Sequence, residues 1–168
     1  MSWHEAMAEA LLANGIRAMA YVPDEMTGEL LERLENTPEV DVYSVTREEE
    51  GVGVLSGAYL GGRRGALIIQ ASGVGNSVNA LASLNVACKI PVLLLVGERG
   101  GLKEFNPCQV PLGRAVPQVL GAIGIQSFPI YHEDEISELV EGACQLAFST
   151  QFPVALILTT RLTGGKPV

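Results

Sequence analysis

The fold is decided by residues 66–96, which read ALIIQASGVGNSVNALASLNVACKIPVLLLV. Two runs within this stretch, Ala66–Ala71 and Pro91–Val96, have the length of strands and are apolar on both faces. Strands of this kind belong to a parallel sheet that helices cover on both sides. Between the two runs, Ser72–Gly75 is typical of a turn and Asn76–Cys88 of a helix. The stretch is therefore predicted to form a strand–helix–strand unit of a parallel sheet.

The same alternation of strand-like and helix-like segments continues on both sides of this unit. Further strands are predicted at Arg17–Val22, Val40–Val45, Ile125–Ile130 and Pro153–Leu158. Helices are predicted at Ser2–Ala13, from the Pro23–Asp24 loop to Leu34, and at Thr46–Gly61, Gly113–Ala122 and Asp134–Ser149, with a frayed tail after Leu158. No shift in composition marks a second domain. Residues 1–168 are thus predicted to be one doubly wound α/β domain with a six-stranded, mainly parallel sheet and helices on both faces.

The composition argues against several classes of function. With 11 basic and 19 acidic residues, the net charge is −8, whereas a nucleic-acid-binding protein needs a basic face. The apolar runs are far shorter than the roughly 20 residues that span a bilayer, and no signal-peptide pattern opens the chain. Neither nucleic acid nor a membrane is therefore an expected partner. Only 18% of the residues are charged, which fits a surface that is partly covered in an assembly.

The cysteines indicate a reducing compartment. Cys88, Cys108 and Cys144 are odd in number, widely spaced and without a CxxC pattern, which argues against a disulfide framework and against a zinc site. Cys88 and Cys144 are interpreted as small apolar residues, while Cys108 lies in a polar loop. We therefore expect a cytoplasmic protein with free thiols.

Ligands of an open parallel sheet bind at the carboxyl ends of the strands. The predicted loops at those ends are Pro23–Glu25, Thr46–Glu48, Ser72–Asn76 and Gly97–Gln109. Ser72–Ser77 offers backbone N–H groups to an anion, but it matches neither the dinucleotide-binding nor the Walker A pattern. His4 and His132 accompany no nucleophile motif, so a Ser/His/Asp triad is poorly supported.

Three acids open the helix predicted to start at Thr46. Glu49 and Glu50 are interpreted as solvated first-turn carboxylates, and Glu49 is placed to form a capping box with Thr46. Glu48 differs, because it lies in helical register with Val52, Leu55 and Tyr59 on the core-facing side. A carboxylate on an apolar face needs a partner, and no basic residue is in phase with this one. Glu48 is therefore a candidate for binding a ligand proton.

The same helix contains Gly51, Gly53 and Gly57. Each interior glycine costs about 1 kcal/mol relative to alanine, so three of them indicate that another part of the structure approaches closely. Two explanations stay open: a helix of another subunit, or close packing on the protein's own sheet.

At this point the sequence resembles a known family. The residues that carry the resemblance are Thr46–Gly53, Gly57–Gly62, Gln70–Leu84, Tyr21–Asp24, Arg99–Gly100, Leu102–Glu104 and Gln109–Gly113. They are similar to the pyrimidine-binding domain of thiamine-diphosphate-dependent decarboxylases. The similarity is greatest to alpha subunits of sulfopyruvate decarboxylases, with phosphonopyruvate decarboxylases next. It covers nearly the whole chain.

The resemblance implies roles for individual residues. Counting back nine residues from Gly57 places the family's activating glutamate at Glu48, with Glu49 as the alternative. Glu48 would hydrogen-bond the ring nitrogen N1′ of the aminopyrimidine, and this activates thiamine diphosphate to decarboxylate a 2-oxo acid. The other residues implied to bind the cofactor are Pro23, Gly73, Val74 and Asn76; those implied to contact the substrate are Asp24, Glu25, Asn76, Arg99 and Gln109.

The resemblance also implies a partner. The family binds diphosphate and Mg²⁺ through a Gly-Asp-Gly motif on a separate domain, and this sequence contains no Gly-Asp-Gly. A beta subunit is thus expected to supply that domain in a hetero-oligomer. The expected substrate is 3-sulfopyruvate; a phosphonopyruvate or other 2-oxo-acid decarboxylase subunit and a non-catalytic scaffold or regulator remain alternatives.

Overall fold

A six-stranded parallel sheet forms the centre of the protein in a computed structural model that describes residues 2–165. The strand order is β2-β1-β3-β4-β6-β5, and every neighbouring pair is parallel. The strands are β1 (Ile16–Tyr21), β2 (Asp41–Ser44), β3 (Arg64–Gln70), β4 (Leu93–Gly97), β5 (Gln126–Ile130) and β6 (Val154–Leu158). This confirms the predicted α/β fold class and strand count.

The connections between the strands are helical. The helices are α1 (Trp3–Ala13), α2 (Gly28–Glu35), α3 (Glu48–Leu60), α4 (Ala71–Ala80), α5 (Val110–Ala122), α6 (Ile136–Thr150) and α7 (Thr160–Thr163). A π-helical segment, Leu81–Val86, continues α4, and 3₁₀ turns lie at Glu25–Thr27, Pro107–Gln109 and Glu133–Glu135. No helix in residues 2–165 is both long enough and apolar enough to cross a bilayer.

Side chains of the sheet alternate between two cores, which explains why the strands are apolar on both faces. Ala66 and Ile68 belong to one core together with residues of α1, α2 and α6. Leu67 and Ile69 belong to the other core together with residues of α3, α4 and α5. Since neighbouring residues of a strand point to opposite faces, both faces of a fully covered strand must be apolar.

The strand order changes direction next to β1. The chain passes from β1 outward to β2, then returns over β1 to β3 on the other side. In open parallel sheets a crevice forms at such a switch point, outside the carboxyl ends of the strands. The connection after β1 and the starts of α3 and α4 lie at this edge, so the fold brings three of the four predicted loops together there.

One predicted boundary is clearly wrong. Helix α4 begins at Ala71, directly after β3, so Ser72–Gly75 is its first turn and not a separate loop. Glycines at 73 and 75 are typical of a turn, but here each makes room for a neighbouring side chain. The predicted tail also differs, because α7 follows β6; residues 166–168 lie outside the described part of the chain.

Candidate active site

Glu48 is the first residue of α3, and it lies against the first two turns of α4. Its Oε2 accepts a hydrogen bond of 2.8 Å from Nδ2 of Asn76. A Cβ atom on Gly73 would come within 2.5 Å of Glu48 Cγ and 2.7 Å of its Oε1, so only glycine leaves room for this carboxylate. Glu48, Gly73 and Asn76 therefore form one cluster, which we call the Glu48 cluster.

The part of α4 beneath the cluster is firmly held. Gly73 and Val74 are buried, and Val74 belongs to the core between α3, α4, α5 and the sheet. The buried hydroxyl of Ser77 donates to the carbonyl oxygen of Gly73 over 2.8 Å. Because the supporting backbone is packed and hydrogen-bonded, the Glu48 carboxylate is positioned by a rigid element.

The helical register distinguishes Glu48 from the two acids that follow it. Val52 and Leu55, one and two turns further along α3, are buried in the core. Val54, which lies one turn after Glu50 and on the same face of the helix, is exposed. Glu48 itself is half-buried, so its side chain lies where the core-facing stripe meets the edge of the sheet.

Glu49 and Glu50 are engaged in local structure at the start of α3. Glu50 caps the helix, since its Oε2 accepts from the backbone N–H groups of Thr46 (2.9 Å) and Arg47 (3.2 Å). The predicted capping box between Thr46 and Glu49 is therefore wrong by one residue. Glu49 instead pairs with Arg47 (Nε–Oε1 2.6 Å), and its own backbone N–H and Arg47 lower the pKa of its carboxyl group. The other oxygen of Glu49, Oε2, is buried and has no hydrogen-bond partner among residues 2–165, whereas Glu48 faces Gly73 and Asn76 on α4.

The glycines of α3 separate into two kinds. A Cβ atom on Gly51 would lie 2.5 Å from Leu67 Cδ1, so this glycine allows α3 to pack on its own sheet. Gly53 and Gly57 are exposed and have open space where a Cβ would be. With the exposed Val54 and Leu60, they form a solvent-exposed face of α3. We call these four residues (Gly53, Val54, Gly57 and Leu60) the α3 strip.

The connection after β1 contributes the second group of predicted site residues. Pro23 and Glu25 are exposed, whereas Asp24 is half-buried and caps the 3₁₀ turn, its Oδ1 accepting from the N–H of Met26. The hydrogen bonds that Arg99 donates to Glu104 raise the pKa of Arg99 most, and the negative charge of Asp24 raises it further. The structure thus brings Asp24 and Arg99 close to each other.

Arg99 forms a buried ion pair within its own loop. Its side chain is only 7% exposed, and its Nε and Nη2 each donate over 2.7 Å to the carboxylate of Glu104. Its Nη1 donates to Oε1 of Gln70, the residue that precedes α4. The backbone N–H groups of Gly100 and Asn106 also donate to Glu104. These bonds, that of Arg99 above all, lower the pKa of Glu104 to about 2.

The sequence did not reveal the Arg99–Glu104 pair, because nothing in the spacing of these two loop residues marks them as partners.

The folded loop packs closely on the start of α5: a Cβ atom on Gly113 would lie 2.2 Å from the carbonyl oxygen of Arg99. Gly100 has a φ of +76°, which favours glycine. Gln109, half-buried, ends the 3₁₀ turn that leads into α5. Arg99 therefore shapes the loop that presents Gln109.

The histidines and cysteines form no assembled catalytic group. His4 lies near Met26 and Glu29, far along the chain from His132 at the 3₁₀ turn before α6. All three cysteines are free; Cys144 is buried, but Cys88 is exposed, which corrects its interpretation as a packed apolar residue. Within residues 2–165, no three His, Cys, Asp or Glu side chains are grouped so that they could hold a metal ion.

The Glu48 cluster offers a carboxylate oxygen to a ligand. One oxygen of the carboxylate is held by Asn76, and the other, Oε1, lies beside the bare backbone of Gly73. Such a carboxylate can accept a hydrogen bond from an N–H group. Glu48 itself fills the space that a Cβ on Gly73 would take, so Gly73 allows the carboxylate to lie close to α4. The residues present thus fit a ligand that offers an N–H donor, such as a nitrogen heterocycle.

Comparison with known proteins places the chain in a family. Residues 1–104 match the family described as thiamine pyrophosphate enzyme, N-terminal TPP binding domain. The alpha subunit of sulfopyruvate decarboxylase from Methanococcus maripaludis is 39% identical over 94% of this chain and 95% of that protein. The sulfopyruvate decarboxylase of Methanosarcina acetivorans is 40% identical over 91% of this chain, but over only 39% of that protein.

More distant relatives carry related names. A phosphonopyruvate decarboxylase of Streptomyces viridochromogenes is 27% identical over 96% of this chain and 41% of that protein. Among solved structures, a 2-oxoglutarate:ferredoxin oxidoreductase of Magnetococcus marinus superposes with a TM-score of 0.77 at 16% identity, over 97% of this chain and 29% of that one, which shows a shared fold. The chain therefore belongs to the thiamine pyrophosphate enzyme family, in the group that contains the sulfopyruvate decarboxylase alpha subunits.

Proposed function

We propose that this chain is the alpha subunit of a thiamine-diphosphate-dependent decarboxylase that converts 3-sulfopyruvate to sulfoacetaldehyde and CO₂. The relatives that match nearly end to end, at 36–39% identity, are named sulfopyruvate decarboxylase subunit alpha. The observation that carries the proposal is the Glu48 cluster, in which a half-buried carboxylate is fixed by Asn76 over 2.8 Å and cradled by Gly73.

In this proposal the chain holds the pyrimidine half of the cofactor. Glu48 would accept a hydrogen bond from the protonated ring nitrogen N1′. Pro23 and Asn76 would lie beside the ring, while the buried Gly73 and Val74 support Glu48 from beneath. When bound, thiamine diphosphate accepts the electron pair that remains when CO₂ leaves the 2-oxo acid. The hydrogen bond to Glu48 strengthens as water is excluded, because a low local dielectric favours interactions of charged groups. Asn76 keeps the carboxylate aimed by using one of its oxygens.

The proposed substrate contacts lie along the same edge of the sheet. Asp24 and Glu25 follow β1, Asn76 lies on α4, and Gln109 ends the loop that the Arg99–Glu104 pair shapes. Since Arg99 donates to Glu104 and Gln70, its proposed part is to hold this loop, and Gln109 with it, in place beside the substrate.

We further propose that a beta subunit supplies the diphosphate-binding domain and Mg²⁺, so that residues 1–168 are the pyrimidine-binding half of a hetero-oligomer. Two facts support this. The sequence contains no Gly-Asp-Gly, and the relatives that it matches over most of their length are named as alpha subunits. The matching region is 39% of the Methanosarcina protein, which leaves room there for a second half.

The α3 strip is the proposed docking surface for the beta subunit. It begins one turn after Glu48 and exposes Gly53, Val54, Gly57 and Leu60, the last 74% exposed. Glycines without neighbours on an exposed helix face allow another backbone to approach closely.

The rival substrate is phosphonopyruvate, because a phosphonopyruvate decarboxylase is a relative at 27% identity.

The test is co-expression of this chain with a candidate beta chain that contains Gly-Asp-Gly, followed by assay of aldehyde and CO₂ from 3-sulfopyruvate, phosphonopyruvate and pyruvate. We expect sulfopyruvate to be the best substrate and this chain alone to be inactive. A complex that prefers phosphonopyruvate would contradict the substrate assignment. An assembled complex that decarboxylates none of the three would favour the scaffold role.

A further inference from the structure

A separate recess of about 520 Å³ opens at the carboxyl edge of the sheet, between the loop after β4 and α7. Lys103 and Arg161 line it from opposite elements: Lys103 belongs to the loop, and Arg161 belongs to α7. Nothing in the sequence marks Arg161 as a site residue, because it lies after the last strand, far along the chain from the other predicted loops. The parallel sheet brings the two cations to one edge.

The acids of this recess are already occupied. Glu104 is paired with Arg99, which is neutralised in return. Glu98 accepts a 2.7 Å hydrogen bond at its Oε2 from the backbone N–H of Thr160, at the start of α7. By contrast, neither Lys103 nor Arg161 makes an ion pair or hydrogen bond with any residue between 2 and 165. The recess is thus lined by three cations, Arg99, Lys103 and Arg161, and by two acids, Glu98 and Glu104, so its lining is net positive in a chain whose net charge is −8.

The backbone at Lys103 is a second observation about this recess. Lys103 has a φ of +68°, a left-handed conformation that glycine adopts freely and that costs other residues about 1 kcal/mol. Glycines occupy positions 100 and 101 of the same loop, but position 103 carries a long cationic side chain. Lys89, which precedes β4, shares this left-handed conformation with a φ of +54°, so it is a matched control for a variant of Lys103.

The recess adjoins the Glu48 cluster through the sheet. Gln70, Gly97 and Leu158 lie side by side at the ends of β3, β4 and β6. Strands are spaced by about 4.8 Å, so the ends of β3 and β6 are about 10 Å apart. Arg99 joins the two places directly, because it lines the recess and donates to Gln70, which precedes α4. The recess is therefore joined to the start of α4, the helix that carries Asn76, through the Arg99–Gln70 hydrogen bond.

We propose that Lys103 and Arg161 bind the anionic end of the substrate, a sulfonate oxyanion, in this recess. The inference rests on the proposed decarboxylase function and names the residues that select its substrate. An oxyanion with several acceptor oxygens can receive donors from both side chains at once, and charge-assisted hydrogen bonds are the strong ones. The diphosphate of the cofactor is an oxyanion too, so the test must separate the two sources.

The test uses the assembled complex and three variants: Lys103→Gln, Arg161→Gln, and the matched control Lys89→Gln. Lys89 is exposed and likewise unpaired, but it precedes β4 at the opposite edge of the sheet. Sulfoacetate serves as a probe that carries the anion without being decarboxylated. Each recess variant should weaken sulfoacetate binding in calorimetry roughly 10- to 100-fold, as expected for one charged hydrogen bond. Lys89→Gln should bind sulfoacetate like the wild type.

Turnover gives a second readout. The ratio of kcat/KM for sulfopyruvate to kcat/KM for pyruvate should fall by about the same factor in both recess variants. Wild-type affinity for sulfoacetate in both variants would overturn the proposal, as would variants that weaken thiamine diphosphate binding but not sulfoacetate binding. If the wild type fails to decarboxylate sulfopyruvate while the variants still weaken sulfoacetate binding, the proposed function falls and the anion site stands.

Discussion

Asn76 Nδ2 donates a 2.8 Å hydrogen bond to Oε2 of Glu48, and this bond joins the start of α3 to the second turn of α4. The two helices follow different strands, β2 and β3, on either side of the strand between them. The bond therefore depends on the tertiary fold. It fixes one oxygen of the carboxylate and leaves the other, Oε1, beside Gly73 and without a hydrogen-bond partner among residues 2–165.

Substitution of Asn76 tests whether this orientation matters. Asn76→Ala removes the donor, and we expect kcat of the complex to fall about tenfold, as for the loss of one hydrogen bond to a charged group. Asn76→Asp, of the same shape, places a like charge beside Glu48 and should reduce kcat further at neutral pH. Asn79→Ala, an exposed asparagine on the same helix, is the control. Equal kcat in the Asn76 and Asn79 variants would mean that Asn76 does not position the carboxylate.

The two kinds of glycine predict opposite effects of alanine. Gly73→Ala forces a Cβ to within 2.5 Å of Glu48 Cγ, so it should destabilise the chain by about 1–3 kcal/mol and displace the carboxylate. Gly53→Ala meets open space on an exposed helix and should stabilise the isolated chain by about 0.5–1 kcal/mol. Urea unfolding of both variants measures the two changes. A Gly73→Ala variant as stable and as active as the wild type would show that Glu48 does not need this cradle.

The Arg99–Glu104 pair predicts a loss of stability in acid. The pKa of Glu104 lies at about 2 in the folded chain, below its ordinary value of 4.5. The folded state thus takes up this proton less readily than the unfolded state, so the stabilisation is complete above pH 4.5 and is lost as pH falls toward 2. Urea unfolding across this range should show a shallower pH dependence for Glu104→Gln than for the wild type.

Removing only one partner of the same pair should be costly at neutral pH. Arg99→Ala leaves a carboxylate that is 7% exposed without its cation, and we expect a loss of about 3–5 kcal/mol in the free energy of unfolding. Arg33→Ala, which breaks an exposed pair with Glu5, should cost less than about 1 kcal/mol. Similar losses in the two variants would contradict the assignment of Arg99 as the residue that holds the loop.

The thiols should differ in reactivity. Burial raises the pKa of Cys144 to about 11, whereas Cys88 and Cys108 are exposed. Since the thiolate is the reactive form, the native chain should react with a thiol reagent at Cys88 and Cys108 while Cys144 stays protected until the chain unfolds. Mass spectrometry of the labelled peptides locates the modified residues. Rapid labelling of Cys144 in the native chain would indicate that α6 does not pack as described.

The sequence predicted the fold because its local signals agreed with the tertiary structure. The apolar run at residues 91–96 fits only a strand covered on both faces, and the spacing from Glu48 to Val52 and Leu55 marked the core-facing side of α3. Periodicity alone thus distinguished Glu48 from Glu50. The start of α4 was missed because Gly73 and Gly75 are typical of a turn, and their real role, room for Glu48 and Leu112, depends on contacts between helices.

Other parts of the site could not be predicted from local patterns. The pairing of Arg99 with Glu104 depends on the path of an irregular loop. Lys103 and Arg161 share a recess because β4 and β6 are neighbours, which the order of elements along the chain does not reveal. Local patterns predict which segments form helices and strands. Contacts between side chains of distant segments depend on how the topology brings those segments together.

The central claim is that Glu48 is the acid that activates the cofactor, and the most direct test is kcat of the assembled complex with Glu48→Gln beside Glu49→Gln. The amide keeps the shape of the carboxylate but loses its charge, so we expect Glu48→Gln to lower kcat roughly 10²- to 10⁴-fold with subunit assembly unchanged. Glu49→Gln should stay within about threefold of the wild type, since that acid pairs with Arg47. A Glu48→Gln complex as fast as the wild type, or a loss confined to Glu49→Gln, would contradict the claim.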